Sequence, residues 1–157
     1  NSINKPFVWT TPSGFEVHHV YNQVLERVSY AELFNRQQLV FSTVTEDLDG
    51  KAQYLAISPN YIHSLDAAHM FMTISRMLDE GICAFSFVHD SYGTYAPDVS
   101  LMHKLLREEF IKIHQENQLE KLKKEIEERY GIYLPEVPQR EDGFEVEEVF
   151  ESEYFFA

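Results

Sequence analysis

Residues 82–95 read Ile-Cys-Ala-Phe-Ser-Phe-Val-His-Asp-Ser-Tyr-Gly-Thr-Tyr, and the rest of the chain is best interpreted outward from them. The almost continuous apolar run at 82–88 is typical of a short strand that is covered on both faces. A His-Asp-Ser sequence at 89–91 interrupts the run, and a strand-like pattern resumes at 92–95. The pattern therefore predicts a β-hairpin with polar and charged groups at its tip.

Helices are predicted on both sides of this hairpin. Residues 64–80 have helical periodicity, with Ser64 available as the N-cap and Gly81 placed to end the helix. Pro97 is suited to open a long helix, and residues 119–130 form a densely charged helical stretch with Glu–Lys pairs four residues apart. A hairpin packed on such helices is a fold of the α+β class.

The first third of the chain is predicted to be mainly strands. Residues 7–17 read as a strand, a Pro-x-Gly turn and a second strand. Two more β-like runs, 39–44 and 52–57, are joined around an Asp-Gly pair at 49–50, which favours a hairpin turn. A Ser-Pro-Asn sequence at 58–60 is expected to break the chain before the next helix.

Composition limits the possible functions. The chain has 157 residues, 44% of them apolar, and a formal net charge of −13. An acidic chain is repelled by nucleic acid, so either it does not bind nucleic acid or a basic partner surrounds its contacts. No apolar run approaches the roughly 18 residues of a membrane span, so no membrane partner is expected. Because the first residue is Asn1 and not Met, the chain is expected to be a fragment or a processed product.

Asp90 is the first candidate for a metal-binding residue. A carboxylate that projects from a rigid hairpin can hold a hard divalent cation, and Mg²⁺ prefers one or two carboxylates together with substrate phosphates. The alternative is an ordinary turn residue, because turns favour Asp. The chemistry of the residues alone leaves both interpretations open.

Four segments resemble one family. Phe-Val-His-Asp-Ser-Tyr-Gly-Thr at 87–94 resembles the third palm motif of single-subunit RNA polymerases, the phage and mitochondrial enzymes. The segments at 9–17, 59–69 and 151–157 resemble further stretches of the same family in the same order, including its Phe-Ala C-terminus. Ser91 stands where family A DNA polymerases carry Glu, which favours RNA synthesis.

The resemblance implies an α+β fold that is the C-terminal part of a polymerase palm, spanning residues 1–157. In this interpretation 1–62 holds the opening strands and hairpin, 63–96 a helix and the catalytic hairpin, and 97–157 the long helices and C-terminal tail. This part of the palm is incomplete without an upstream region or a partner chain.

The resemblance also implies site residues. Asp90 is the catalytic residue and holds one of two Mg²⁺ ions that activate the attacking 3′ hydroxyl and stabilise the leaving pyrophosphate. The residues implied to bind substrate or nucleic acid are His63, His89 and Ser91. A possible C-terminal contribution comes from Phe156 and Ala157, which would bring the terminal carboxylate near the metal site. The alternatives are a helix-capping or turn histidine at 63, a packed histidine at 89 and a tail that serves stability alone.

The earlier palm aspartate and the fingers helix lie upstream in this family, so the chain alone is not expected to polymerise. The expected partners are a second RNA polymerase polypeptide with those parts (a heterodimer), the DNA template, the RNA product and NTPs. One longer chain is the alternative. The expected location is the cytoplasm of an infected bacterial host, with possible carriage in the virion of a bacteriophage. Two other functions remain open, a non-catalytic nucleic-acid-binding or regulatory remnant of a palm, and a fragment of a family A DNA polymerase.

Overall fold

The computed structural model describes residues 5–31, 37–138 and 145–155. The elements in chain order are β1 (Phe7–Thr10), β2 (Glu16–His19), β3 (Asn22–Ala31), β4 (Gln37–Leu48), α1 (Gly50–Asp79), β5 (Phe85–Val88), β6 (Ser91–Thr94), a 3-10 turn (Ala96–Asp98), α2 (Val99–His114), α3 (Gln118–Tyr130) and a second 3-10 turn (Val146–Phe150). The strands pair as three two-stranded sheets, β1–β2, β3–β4 and β5–β6. Small antiparallel hairpins combined with helices confirm the predicted α+β class.

The described residues fall into two compact units. The first unit comprises residues 5–8 and the described part of 18–60, and the second comprises 9–17 and the described part of 61–155. The boundary lies inside α1, between Asn60 and Tyr61.

The first unit contains the long antiparallel hairpin β3–β4. Its register runs from Ala31 opposite Gln37 to Asn22 opposite Leu48. The predicted strand at 39–44 is confirmed as part of β4, but the strand predicted at 52–57 is wrong, because those residues belong to α1. The partner of β4 is β3, the strand that precedes it in the chain.

The predicted turn at 49–50 is instead the start of α1. The Asp49 carboxylate accepts hydrogen bonds from the backbone N–H groups of Lys51 and Ala52, at 3.0 and 2.9 Å. Its carbonyl accepts the N–H of Gln53 at 2.9 Å, which is the first bond of the helix. Asp49 is therefore an N-cap, a position that Asp favours as strongly as it favours turns.

The break predicted at 58–60 is also wrong, because α1 continues through Pro59. Proline has no N–H, so the carbonyl of Leu55 lacks its helical donor there. Both residues are exposed, and water can satisfy that carbonyl. The Ser-Pro-Asn sequence at 58–60 therefore does not end the helix, because other contacts hold α1 in place.

His19 supplies those contacts within the first unit. It is only 2% exposed, and its Nε2 lies 2.9 Å from the carbonyl oxygen of Gln53. Since a carbonyl can only accept, Nε2 carries the proton and Nδ1 accepts from the side-chain amide of Asn60 at 3.2 Å. The Asn60 amide also donates to the hydroxyl of Tyr21 at 3.1 Å. The strand end is thereby fastened to α1 on both sides of Pro59.

Trp9 anchors the start of the second unit. Its indole N–H donates to the Ser64 hydroxyl at 3.0 Å, and that hydroxyl donates to the carbonyl of Tyr61 at 2.7 Å. Ser64 is therefore not the predicted N-cap, because it lies inside α1 and binds the preceding turn. Tyr61 packs edge-on against Trp9 and donates its hydroxyl to the carbonyl of Gln118 at 2.8 Å. These bonds join β1, α1 and the start of α3.

Two predicted chain reversals are confirmed. Gly14 has φ +84° in the turn between β1 and β2, and its N–H donates to the carbonyl of Thr11 at 2.8 Å. Gly81 has φ +83° two residues after the last residue of α1, where a left-handed residue ends the helix.

The core of the second unit lies along α2. The buried side chains of its main cluster are Met77, Ile82, Met102, Leu105 and Leu106. A second cluster joins α2 to the second 3-10 turn (Val146–Phe150) through Ile111, Val146 and Val149. The hairpin β5–β6 and the C-terminal segment therefore both pack on α2, which provides the rigid support for any site at the hairpin tip.

Candidate functional site

The hairpin β5–β6 has a two-residue turn formed by His89 and Asp90, with Val88 opposite Ser91. His89 has φ +54°, and among the described residues it is the only non-glycine with positive φ. A positive φ is adopted most easily by Gly, and among the other residues it is least rare for Asn, Asp and His. The left-handed conformation costs an L-residue roughly 1–2 kcal/mol. The surrounding strands therefore hold the turn in a conformation that His would not choose alone.

The two faces of the hairpin differ. Phe85, Phe87 and Tyr92 are partly buried and pack against the main cluster on α2, with the rings of Phe87 and Tyr92 4.9 Å apart in a T-shaped pair. Ser86 and Val88 point the other way and are exposed, Val88 at 62%. The prediction of a strand covered on both faces is thus wrong for the described residues. The aromatic face fixes the hairpin to α2 and leaves its tip open.

His89, Asp90 and Ser91 are all exposed at that tip. The negative charge of Asp90 nevertheless affects the partly buried Tyr92 beside it. Burial, together with the negative charges of Asp66 and Asp90, raises the pKa of the Tyr92 hydroxyl from 10 to about 12. Asp90 thus offers a solvent-accessible carboxylate in a region that Asp66 makes more negative.

His69 lies beneath the hairpin and is 3% exposed. Its Nε2 is 2.8 Å from the carbonyl oxygen of Leu106, so Nε2 carries the proton and donates. Its Nδ1 is consequently an acceptor, and it faces the Tyr92 hydroxyl at 3.5 Å. Burial lowers the pKa of His69 below its usual 6.5, against the opposing effect of the Leu106 hydrogen bond. The imidazole is therefore neutral near pH 7.

His63 lies on an exposed part of α1, six residues before His69, and so it is not a turn histidine. Over residues 5–31, 37–138 and 145–155, no three His, Cys, Asp or Glu side chains come together in a way that could hold a metal ion. Asp90 does not form a metal site by itself. An exposed carboxylate does fit Mg²⁺ as one ligand among others, because Mg²⁺ keeps several waters and binds substrate phosphates.

The C-terminal segment is fastened by Arg107, which the sequence interpretation missed. Its Nε donates to the carbonyl of Val149 at 3.0 Å, and a terminal guanidinium nitrogen donates to that of Ser152 at 2.7 Å. The guanidinium also lies 5.3 Å from the ring centre of Phe155. The available signal was an arginine directly after the two buried leucines of α2, Leu105 and Leu106. The predicted contribution of Phe156 and Ala157 lies outside the described residues and stays a prediction.

None of the helices in the described part of the chain combines the length and the apolar character that crossing a bilayer requires.

Comparisons with known proteins agree on one family. The sequence model of the family described as DNA-dependent RNA polymerase matches residues 1–134. A protein of Nicotiana tabacum named DNA-directed RNA polymerase 1A is 38% identical over 154 residues, which cover 98% of this chain and 96% of that protein. DNA-directed RNA polymerase 2, chloroplastic/mitochondrial, of Nicotiana sylvestris is 39% identical over 156 residues, 99% of this chain but 15% of that protein. For DNA-directed RNA polymerase 2A of Nicotiana tabacum the identity is also 39%, and 46% of that protein is covered. The chain thus spans less than half of the length of several curated relatives that it matches.

These relatives correct the expected location. Those whose names state a compartment are mitochondrial or chloroplast proteins of plants. The expectation of an infected bacterial host, or of a virion, is therefore wrong. The motifs used for that expectation belong to a family with both phage and organellar members, so they carry no information about the compartment.

Proposed function

Because this chain belongs to the DNA-dependent RNA polymerase family, we propose that residues 1–157 are the C-terminal part of the polymerase palm. The whole enzyme is a nucleotidyltransferase that joins NTPs into RNA on a DNA template. One observation supports a catalytic role for residues 1–157. Asp90 stands exposed on a strained two-residue turn, and the aromatic face of its hairpin is packed on α2.

Asp90 has the role of a shared metal ligand in this proposal. It would hold Mg²⁺ together with a second carboxylate from another part of the polymerase. When bound, Mg²⁺ supplies Lewis-acid stabilisation of the attacking and leaving oxygens of nucleotidyl transfer. The hairpin backbone fixes the position of the carboxylate, so little reorganisation is needed when substrate arrives.

The other predicted residues have supporting roles. His89 and Ser91 flank the carboxylate, are exposed, and can donate hydrogen bonds to the RNA end or to phosphate oxygens. His63 is exposed on α1 and can contact the template–nucleotide pair. These assignments rest on the resemblance, together with the accessibility of the three side chains.

The remaining catalytic parts are proposed to lie in the same longer polypeptide, and the enzyme to work in a plant mitochondrion or chloroplast. The match covers 15% of two Nicotiana sylvestris polymerases and 16% of a third, so in those proteins the corresponding segment is part of a much longer chain. A second, noncovalent polypeptide is the alternative. Intact mass measurement under native and then denaturing conditions separates them, because only a heterodimer splits into two polypeptides on denaturation.

The decisive variant for the catalytic role is Asp90→Asn, made in the whole polymerase. It keeps the shape of the side chain and removes the charge, so RNA synthesis should fall at least about 100-fold, as when one transition-state charge partner is lost. Asp79→Asn is the matched control, since Asp79 is an exposed carboxylate at the end of α1. Unchanged synthesis by Asp90→Asn would instead favour a non-catalytic palm remnant. Family membership leaves the DNA polymerase alternative without support, and NTP-versus-dNTP preference tests it.

A further inference from the structure

His69 is a three-way link beneath the catalytic hairpin. It belongs to α1, donates to the carbonyl of Leu106 on α2 at 2.8 Å, and faces the Tyr92 hydroxyl of β6 at 3.5 Å. Its ring also packs edge-on against Phe110, with ring centres 5.7 Å apart. One buried imidazole therefore contacts two helices and the strand that follows Asp90.

The roles of its two ring nitrogens follow from these contacts. Because the Leu106 carbonyl can only accept, Nε2 must carry the proton, and Nδ1 must present a lone pair to Tyr92. Tyr92 can then only be the donor in this pair. The bond fixes the imidazole tautomer and the direction of the phenol together.

We propose that His69 and Tyr92 are positioning residues for Asp90, with the Tyr92 hydroxyl donating to His69 Nδ1 to fix where the hairpin tip stands relative to α2. The inference rests on the proposed catalytic role of Asp90. Tyr92 is two residues beyond Asp90 and directly opposite Phe87. It brings a polar group from the aromatic face of the hairpin to a partner on another element.

Packing alone does not define the position of the tip. The contacts of Phe85 and Phe87 with the main cluster are apolar and non-directional, so they hold the hairpin against α2 without setting its exact angle. A hydrogen bond constrains both distance and angle. At 3.5 Å the Tyr92–His69 bond is long, so it adds little to stability, whereas a tip displaced by about 1 Å can cost about 100-fold in rate.

The functions of the two nitrogens can be separated by substitution. Tyr92→Phe removes only the hydroxyl. His69→Gln can keep a donor near the position of Nε2 but has no acceptor at that of Nδ1, and His69→Asn can keep an acceptor near Nδ1 but loses the donor to Leu106. Tyr95→Phe is the matched control, because Tyr95 is an exposed tyrosine just beyond the hairpin.

The test uses the whole polymerase and measures single-nucleotide addition over a range of NTP and Mg²⁺ concentrations, together with the melting temperature. Tyr92→Phe and His69→Gln are each expected to slow addition about 10-fold and to raise the Mg²⁺ concentration for half-maximal rate. The NTP concentration for half-maximal rate and the melting temperature should stay near wild type. The double variant should be no slower than either single variant, because both remove the same bond, and His69→Asn should retain more activity than His69→Gln.

Three results would overturn the inference. The first is a wild-type rate and Mg²⁺ dependence for Tyr92→Phe, the second is additive loss in the double variant, and the third is a rate loss that merely follows a lower melting temperature. Asp90→Asn run in parallel separates the two proposals. If Asp90→Asn abolishes synthesis while Tyr92→Phe is unaffected, only the positioning role fails. If Asp90→Asn synthesises normally, the catalytic role fails and the positioning role fails with it.

Discussion

The buried hydroxyl of Tyr61 makes the stability of the fold depend on pH. Its phenol is 8% exposed and donates to the Gln118 carbonyl, and burial, followed by the negative charge of Glu125, raises its pKa from 10 to about 12. Because the pKa of the Tyr61 hydroxyl is higher in the folded chain, its protonated form stabilises the fold. This contribution is fully present below pH 10, which is the pKa of the hydroxyl in the unfolded chain. That contribution is lost as the pH rises from 10 through about 12.

Tyr61→Phe is therefore expected to make the unfolding free energy less sensitive to pH between 10 and 12, because it removes this titration. Near pH 7 it should cost about 1 kcal/mol, the net value of one hydrogen bond. Denaturant unfolding at several pH values measures both effects, and Tyr133→Phe is the control, because Tyr133 is 83% exposed. An unchanged alkaline profile in Tyr61→Phe would contradict the raised pKa.

The residue roles that the sequence did not reveal are those set by distant partners. His69 and Arg107 have their backbone partners 37 and 42 residues away along the chain. Periodicity shows which face of a helix is apolar, but it does not show which carbonyl a buried polar side chain meets. Asp90, by contrast, could be proposed as a candidate from the sequence, because its strand, its turn and its motif are all local in sequence.

At the scale of elements, local patterns succeeded where neighbouring residues decide the structure. The hairpin around Asp90 and helix α3 were predicted because apolar runs and glycine ends are local signals. The first half of α1 was missed because Asp49-Gly50 and Pro59 are signals for both turns and helix ends. The buried contacts of His19 with Gln53 and Asn60 decide between them, and they are not visible in a window of a few residues.

The N-cap of α1 can be tested directly. Asp49→Ala removes the acceptor of the Lys51 and Ala52 N–H groups and should lower the unfolding free energy by about 1 kcal/mol. Asp49→Asn should cost much less, because Asn also caps helices well. Denaturant unfolding of both variants gives the comparison. Equal losses in the two variants would mean that charge, and not capping, is what Asp49 contributes.

For the whole molecule, the sequence identified the family but not the compartment. If the motif at 87–94 serves nucleotidyl transfer as proposed, its residues answer to demands that are the same in every compartment. The formal net charge of −13 carries different information, because it opposes binding to phosphates over long distances. If the chain is one part of a polymerase, most of the attraction for DNA and RNA must come from the other parts.

Because of its negative net charge, the chain expressed by itself is expected to bind nucleic acid very weakly. At about 0.15 M salt its dissociation constant for a short DNA duplex should be weaker than about 10⁻⁴ M, the weak end of non-specific binding. The whole polymerase should bind more tightly, with an affinity that falls as salt rises, because its basic parts release counterions from the DNA. Fluorescence anisotropy against salt concentration measures both, and circular dichroism establishes that the isolated chain has kept its helices. Micromolar, salt-dependent binding by the folded chain would show instead that a local basic surface, around residues such as Lys121 and Lys124, outweighs the net charge.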